Sequence, residues 1–203
     1  MDVTAHSPSG ADLPQLVAAA RKCTACELYR DATQTVFGEG PADARLALVG
    51  EQPGDVEDIQ GRPFVGPAGG LLDRALADAG LDRGEVYLTN AVKHFRFTQR
   101  GKRRIHAKPG REHIVACRPW LDAELAVLTP KVVVCLGAVA VSALLGSKYR
   151  VMKDRGALLP FRDDTKALIT THPSAVLRVP GEDRKAAYDA LVADLRIAAE
   201  AVR

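Results

Sequence analysis

No apolar run in this 203-residue chain approaches the length needed to cross a bilayer. The opening segment MDVTAHSPSG has neither a basic n-region nor an apolar h-region, so it does not read as a secretory signal. A soluble, cytoplasmic protein is the default expectation. Cysteine is scarce: the four thiols are too few for a disulfide scaffold and point instead to metal, redox chemistry or burial. Net charge is small as well, at +3, which by itself does not announce a nucleic-acid binder. The phosphate-loop signatures are missing, since no segment matches GxGxxG or the P-loop. There is no internal repeat, low-complexity tract or linker, so the chain reads as one domain over 1–203, with residues 1–11 a frayed terminus. Hydrophobic residues at 47% and charged residues at 26% allow a sizeable core.

The small net charge conceals an asymmetry. Between Lys93 and Arg118 lie nine basic residues and a single acid, Glu112, for a local charge of +8. The rest of the chain carries nineteen basic and twenty-four acidic residues, or −5. A basic block in an otherwise acidic chain suits a polyanion or, equally, a solvated loop.

Short unalternating apolar runs at Leu46–Val49, Val86–Thr89, Val132–Leu136 and Ala167–Thr170 predict strands buried on both faces. Helical periodicity predicts helices over Asp12–Arg21, Leu71–Ala79, Glu112–Leu128 and Asp183–Val202, with a short apolar helix ending near Gly146. Alternating strands and helices imply a three-layer α/β/α fold with a central, mostly parallel sheet. Ligands in such folds sit beyond the carboxyl ends of the strands. The unusual segments fall there: GEQPG after the first strand, Asn90 after the second and His172-Pro173-Ser174 after the last. Gly50 to Gly70 is read as an irregular loop, with six glycines and three prolines in 21 residues. The basic segment from Lys93 to Gly110 is likewise read as a loop.

Cys23-Thr24-Ala25-Cys26 is a CxxC with three chemical options: zinc, a redox dithiol or an iron–sulfur cluster. It precedes the first strand, which disfavours a thioredoxin-type motif. Two thiolates need two further ligands. Cys117 and Cys135 would complete four cysteines, but Cys135 lies within VVVCLG and reads as a core thiol. His94 is the alternative.

Taken together and in order, GEQPG, EDIQGRPFVGPAGGLL, TNAVKH and THPS, with the CxxC upstream, resemble the uracil-DNA glycosylase superfamily, and within it the iron–sulfur family 4. The resemblance runs from about Cys23 to the last helix. One insertion, GKRRIH at Gly101–His106, is similar to the UdgX branch, whose members become covalently joined to uracil-containing DNA. Where family 4 has a Lys-Cys pair, this chain has Lys93-His94. The resemblance therefore implies Cys23, Cys26, His94 and Cys117 as ligands of a 4Fe-4S cluster.

The same resemblance implies the site. Phe64 would stack on uracil and Asn90 would read its edge, with Gln52 bounding the pocket. Glu51 would face the sugar cation, and His172 would donate a hydrogen bond toward uracil O2. Asp55 would hold a water or orient its loop. Lys102, Arg103 and Arg104 would clamp flanking phosphates, because basic side chains pair with phosphate and arginine does so bidentately. His106 would capture the sugar at C1′ in place of water. The expected partner is uracil-containing DNA, single-stranded favoured, with uracil as product. Neither a membrane nor a second copy of the chain is required.

Overall fold

The computed structural model describes residues 10–203; the frayed terminus expected over 1–11 lies almost wholly outside them. Five strands form the main sheet: β1 (Leu46–Gly50), β2 (Val86–Asn90), β5 (Val132–Leu136), β6 (Leu158–Arg162) and β7 (Thr165–Thr170). Their order is β2-β1-β5-β7-β6, all parallel except β6, which runs antiparallel to β7. A two-stranded hairpin, β3 (Phe97–Arg100) and β4 (Arg103–His106), stands apart from this sheet. The helices are α1 (Leu13–Ala20), α2 (Asp55–Gln60), α3 (Pro67–Asp78), α4 (Arg111–Leu128), α5 (Gly137–Leu145), α6 (Val151–Asp154), α7 (Pro173–Arg178) and α8 (Asp183–Val202).

Every residue of β1, β2 and β5 is buried, as their unbroken apolar runs require. Successive side chains enter opposite cores. Leu46, Leu48, Val134 and Leu168 meet α3 and α8 on one face. Ala47, Val49, Val133, Cys135 and Ile169 meet α4 and α5 on the other. This is the three-layer α/β/α sandwich expected from the sequence. Cys135 is fully buried, and burial pushes its thiol up to about 12. It is a core residue, as read. Among the described residues, no helix is long and apolar enough to cross a membrane.

Two segments read as loops are ordered otherwise. Within Gly50–Gly70, α2 forms because Glu57 caps the free Gly54 N–H at its start and Gly61 closes its end in the left-handed region, φ +73. Further on, α3 starts at Pro67, four residues earlier than its apolar periodicity indicates. The basic segment, in turn, holds the hairpin, turning at Gly101-Lys102 with Arg100 opposite Arg103 and Phe97 opposite His106.

β1 has β2 on one side and β5 on the other, so the chain reverses its direction of winding at β1. The carboxyl ends of β1, β2, β5 and β7 share one edge, and the crevice beyond a switch point of this kind is where α/β sheets place ligands.

Candidate active site

A pocket of about 530 Å³ opens at this edge, lined by Glu51, Gln52, Phe64, Asn90, His106 and His172 among others. Each comes from an end of a main-sheet strand or the turn after it, except Phe64 and His106, which ends the hairpin strand β4. Phe64 is brought in by a strained backbone, with φ +56 in the left-handed region where a non-glycine residue is uncommon. Its ring stacks near His172, with centroids 6.1 Å apart and planes 29° apart. Gly50 permits the close approach: a Cβ there would sit 2.4 Å from Asn90 Oδ1 and 2.7 Å from Phe64 Cζ.

His172 caps α7. The Ser174 backbone N–H donates to its Nδ1 at 3.1 Å, so a neutral ring carries its proton on Nε2. Burial pulls its pKa down to about 4, opposed by Glu51 and assisted by Arg178 and His106. At neutral pH it is therefore an uncharged donor, suited to an oxygen that gains charge during reaction. Glu51 Oε1 is buried and has no hydrogen-bond partner among the described residues. His106 Nε2 lies 3.3 Å from it but without hydrogen-bond alignment. An unsatisfied carboxylate oxygen facing a cavity is costly unless something cationic arrives there.

Other expected residues have different work. The Gln52 side chain is not free to read a ligand. Its Nε2 donates to the carbonyls of Arg96 (3.0 Å) and Ala107 (3.1 Å), and its Oε1 accepts from the Arg96 N–H. Those residues are the two ends of the hairpin excursion, so Gln52 ties its base. Arg104 is not presented to phosphate either. Its guanidinium donates to Asp55 at 2.5 Å and Asp58 at 2.6 Å, and lies over the rings of Phe95 and Phe97. The fully buried Asp58 draws it inward. Asp55 thus orients the hairpin through Arg104. Lys102 and Arg103 are exposed, Lys102 at the turn and Arg103 on the face opposite Arg104 and His106.

The basic block is also smaller than its count. Lys93 is 1% exposed and paired with buried Glu124. Its Nζ donates to Thr89 Oγ1 (2.7 Å) and the Asn90 carbonyl (2.8 Å), while Glu124 accepts from Tyr87 and the Gly38 N–H. This network lies beneath the end of β2 and holds Asn90 in place. Arg118 is likewise paired, with Asp122.

The expected cluster ligands share a neighbourhood. Cys26 packs against Cys117; its neighbour draws the Cys26 thiol down to about 6, while Cys26 and burial push Cys117 well up. Trp120 Nε1 donates to Cys23 Sγ at 3.2 Å, and the Lys93 N–H to Cys117 Sγ at 3.4 Å. Thr35 spends its proton on the Ala20 carbonyl, so it accepts from His94 Nε2–H at 2.9 Å. That leaves His94 Nδ1 as a bare, buried nitrogen without a partner among the described residues. Burial lowers the His94 pKa and keeps the ring neutral. A bare, neutral imidazole nitrogen is the donor chemistry of a metal or cluster ligand. No three His, Cys, Asp or Glu side chains are gathered closely enough to hold a metal ion among the described residues, so the four donors do not form a closed site by themselves.

Sequence reasoning missed the tie made by Gln52, the Arg104–Asp58 pair and the support given by Lys93. The glutamine's position in GEQPG was visible, but its partners lie over forty residues away.

Residues 37–196 match the model of the uracil DNA glycosylase superfamily. The chain is 41% identical over 159 residues to a type-4 uracil-DNA glycosylase of Thermotoga maritima, covering 78% of this chain and 79% of that one. It is 36% identical over 176 residues to the type-4 enzyme of Pyrobaculum aerophilum, covering 83% and 86%. A type-5 uracil-DNA glycosylase of Thermus thermophilus is 37% identical over 125 residues, covering 54% and 53%. With these likenesses over most of its length, and a pocket built at the strand ends, the chain belongs to the uracil-DNA glycosylase superfamily.

Proposed function

We propose that this protein excises uracil from DNA, single strands favoured, and then becomes attached to the resulting abasic site through His106. The observation that carries the second half is the position of His106, at the mouth of the pocket and 3.3 Å from Glu51.

In this reading the uracil enters a flipped position between Phe64 and the strand ends. Asn90 offers both a donor and an acceptor to the pyrimidine edge. The C1′–N1 bond breaks, and its electron pair leaves on uracil. His172 Nε2–H meets the charge developing on O2, while the unpartnered Glu51 carboxylate faces the sugar cation. The His106 lone pair then forms an N–C1′ bond. The ring's other nitrogen gives its proton to solvent, which His106 reaches because its side chain is half exposed. The departing uracil anion is protonated by water. Water cannot take the place of His106 at the same carbon, so turnover stops.

We assign the thiols of Cys23, Cys26 and Cys117 with His94 Nδ1 to an iron–sulfur cluster. Bound there, it would supply a covalent staple between the N-terminal segment, the end of β2 and α4. Iron and sulfide content of the purified protein, compared with Cys117→Ser and Cys135→Ser, tests this. Loss in the first and retention in the second are expected, and the reverse overturns the assignment.

The type-4 relatives favour a second reading, in which water completes the reaction and the protein turns over. Denaturing electrophoresis after incubation with single-stranded uracil DNA separates the two. The first reading expects a heat- and detergent-resistant adduct that is absent with thymine DNA. It also expects His106→Ser to lose the adduct while still releasing uracil. An adduct that survives in His106→Ser overturns the role of His106, and its absence in the unmodified protein leaves the turnover enzyme.

A further inference from the structure

A second groove, of about 590 Å³, lies between α4 and α5. Lys108 and Ala138 line both this groove and the uracil pocket, so the two are continuous. We propose that the groove binds the nucleotides adjoining the uracil on the same strand; this rests on the reading of the pocket as a uracil-DNA site.

Three observations point to a strand of nucleic acid. Arg111, Val115 and Arg118 are spaced i, i+4 and i+7 on α4 and form one stripe along the groove. Arg111 and Val115 offer a phosphate contact followed by an apolar face for a base or sugar, while Arg118 borders the groove already bonded to Asp122 and the Ala143 carbonyl. Arg111 stands at the first position of α4, where a cation opposes the helix dipole and adds nothing to helix stability. It is exposed and meets no carboxylate among the described residues. Val115 is 52% exposed, one of few large apolar side chains so placed. The groove's own acid, Asp122, is neutralised by both Arg118 and Arg162, so it does not repel a phosphate.

The geometry also explains why Lys108 sits where it does. It follows the hairpin and precedes α4, at the step from one cavity to the next. A strand whose uracil is held under His106 passes this lysine before it reaches Arg111. Lys102 and Arg103 lie at the other end of the hairpin, so the two basic sets would meet different parts of the strand.

The test compares oligonucleotides that carry one uracil with a single neighbour on each side against ones extended on the 5′ or the 3′ side. The rate of uracil release is measured with the full protein over a range of salt. The unmodified protein is expected to react faster when the strand is extended on one side only. Arg111→Glu should lose about ten-fold on that longer strand and keep its rate on the short one. Its salt dependence should flatten by about 0.7 in the log–log slope for the lost phosphate contact. Val115→Ser should show a smaller loss confined to the same strand, and its near-UV spectrum checks that the fold is kept. Equal loss on both lengths, or no loss on either, overturns the groove. Uracil release without any dependence on length overturns the groove alone; no release from any strand overturns the glycosylase reading beneath it.

Discussion

The pocket floor and the hairpin that closes over it are built on opposite principles. The floor is made of strand ends. Asn90 ends β2, and Glu51 and Thr171-His172 follow β1 and β7; these strands are locked in a parallel ladder and buried on both faces at the carboxyl edge. Their positions follow from the sheet. The hairpin pairs only with itself, over four residues on each side, and such a unit is marginal in water. Its outer face is exposed. What holds it is polar: Gln52 at the base, and Arg104 reaching down to Asp55 and Asp58. In the proposed reading the floor supplies the chemistry of uracil release, and the hairpin supplies His106. Damage to the floor should therefore remove uracil release, whereas damage to the hairpin's ties should remove the adduct first.

The largest effect is expected beneath the floor. Lys93→Met strands the Glu124 carboxylate in the core, and breaking such a pair costs about 3–5 kcal/mol. Urea titration should show this loss, and Lys93→Met with Glu124→Met should recover most of it. Next comes Glu51→Gln, an isosteric change that removes the charge proposed to face the sugar. Uracil release and adduct formation should fall together, by about 10²–10³-fold in single-turnover assays. If the adduct falls and release does not, Glu51 serves His106 and not the sugar.

Arg104→Met is the matching experiment on the hairpin. Adduct yield should fall about ten-fold while uracil release changes little, and stability should drop by ~1–3 kcal/mol because Asp58 is left buried without its cation. Equal losses in release and adduct would mean that the hairpin also shapes the uracil pocket, and the two-region division would fail.

The same division separates what could be read in the sequence from what could not. β1, β2 and β5 were legible because strands buried on both faces must be apolar throughout. The floor residues were legible because the sheet delivers them to one edge in sequence order. β6 was not: LLPFR is an edge strand with a proline and an irregularity between Pro160 and Arg162, so it carries no alternation to read. The hairpin strands FTQR and RRIH are polar enough to pass for a loop. Arg104 was read as one more surface cation because its partners, Asp55 and Asp58, lie almost fifty residues earlier and the pairing is tertiary. Lys93 misled for the same reason, since a lysine in a basic run gives no sign of a buried glutamate thirty-one residues on.

The smallest effect expected belongs to the floor and tests whether His172 is held neutral there. Its pKa is lowered from 6.5 to about 4, chiefly by burial. As pH falls from 6.5 toward 4, the unfolded chain takes up a proton at this histidine and the folded one does not. Stability is therefore lost across that window, is unaffected by His172 above it, and loses nothing further from this group below about 4. His172 is half-buried, so solvent screens part of the effect, leaving a loss on the order of 1 kcal/mol. Urea titrations at stepped pH should show a slope in this window that His172→Asn removes. A slope that persists in the variant would belong to another group. A slope absent from the unmodified protein would mean that His172 titrates in the fold as it does in the unfolded chain, so that the fold does not hold it neutral.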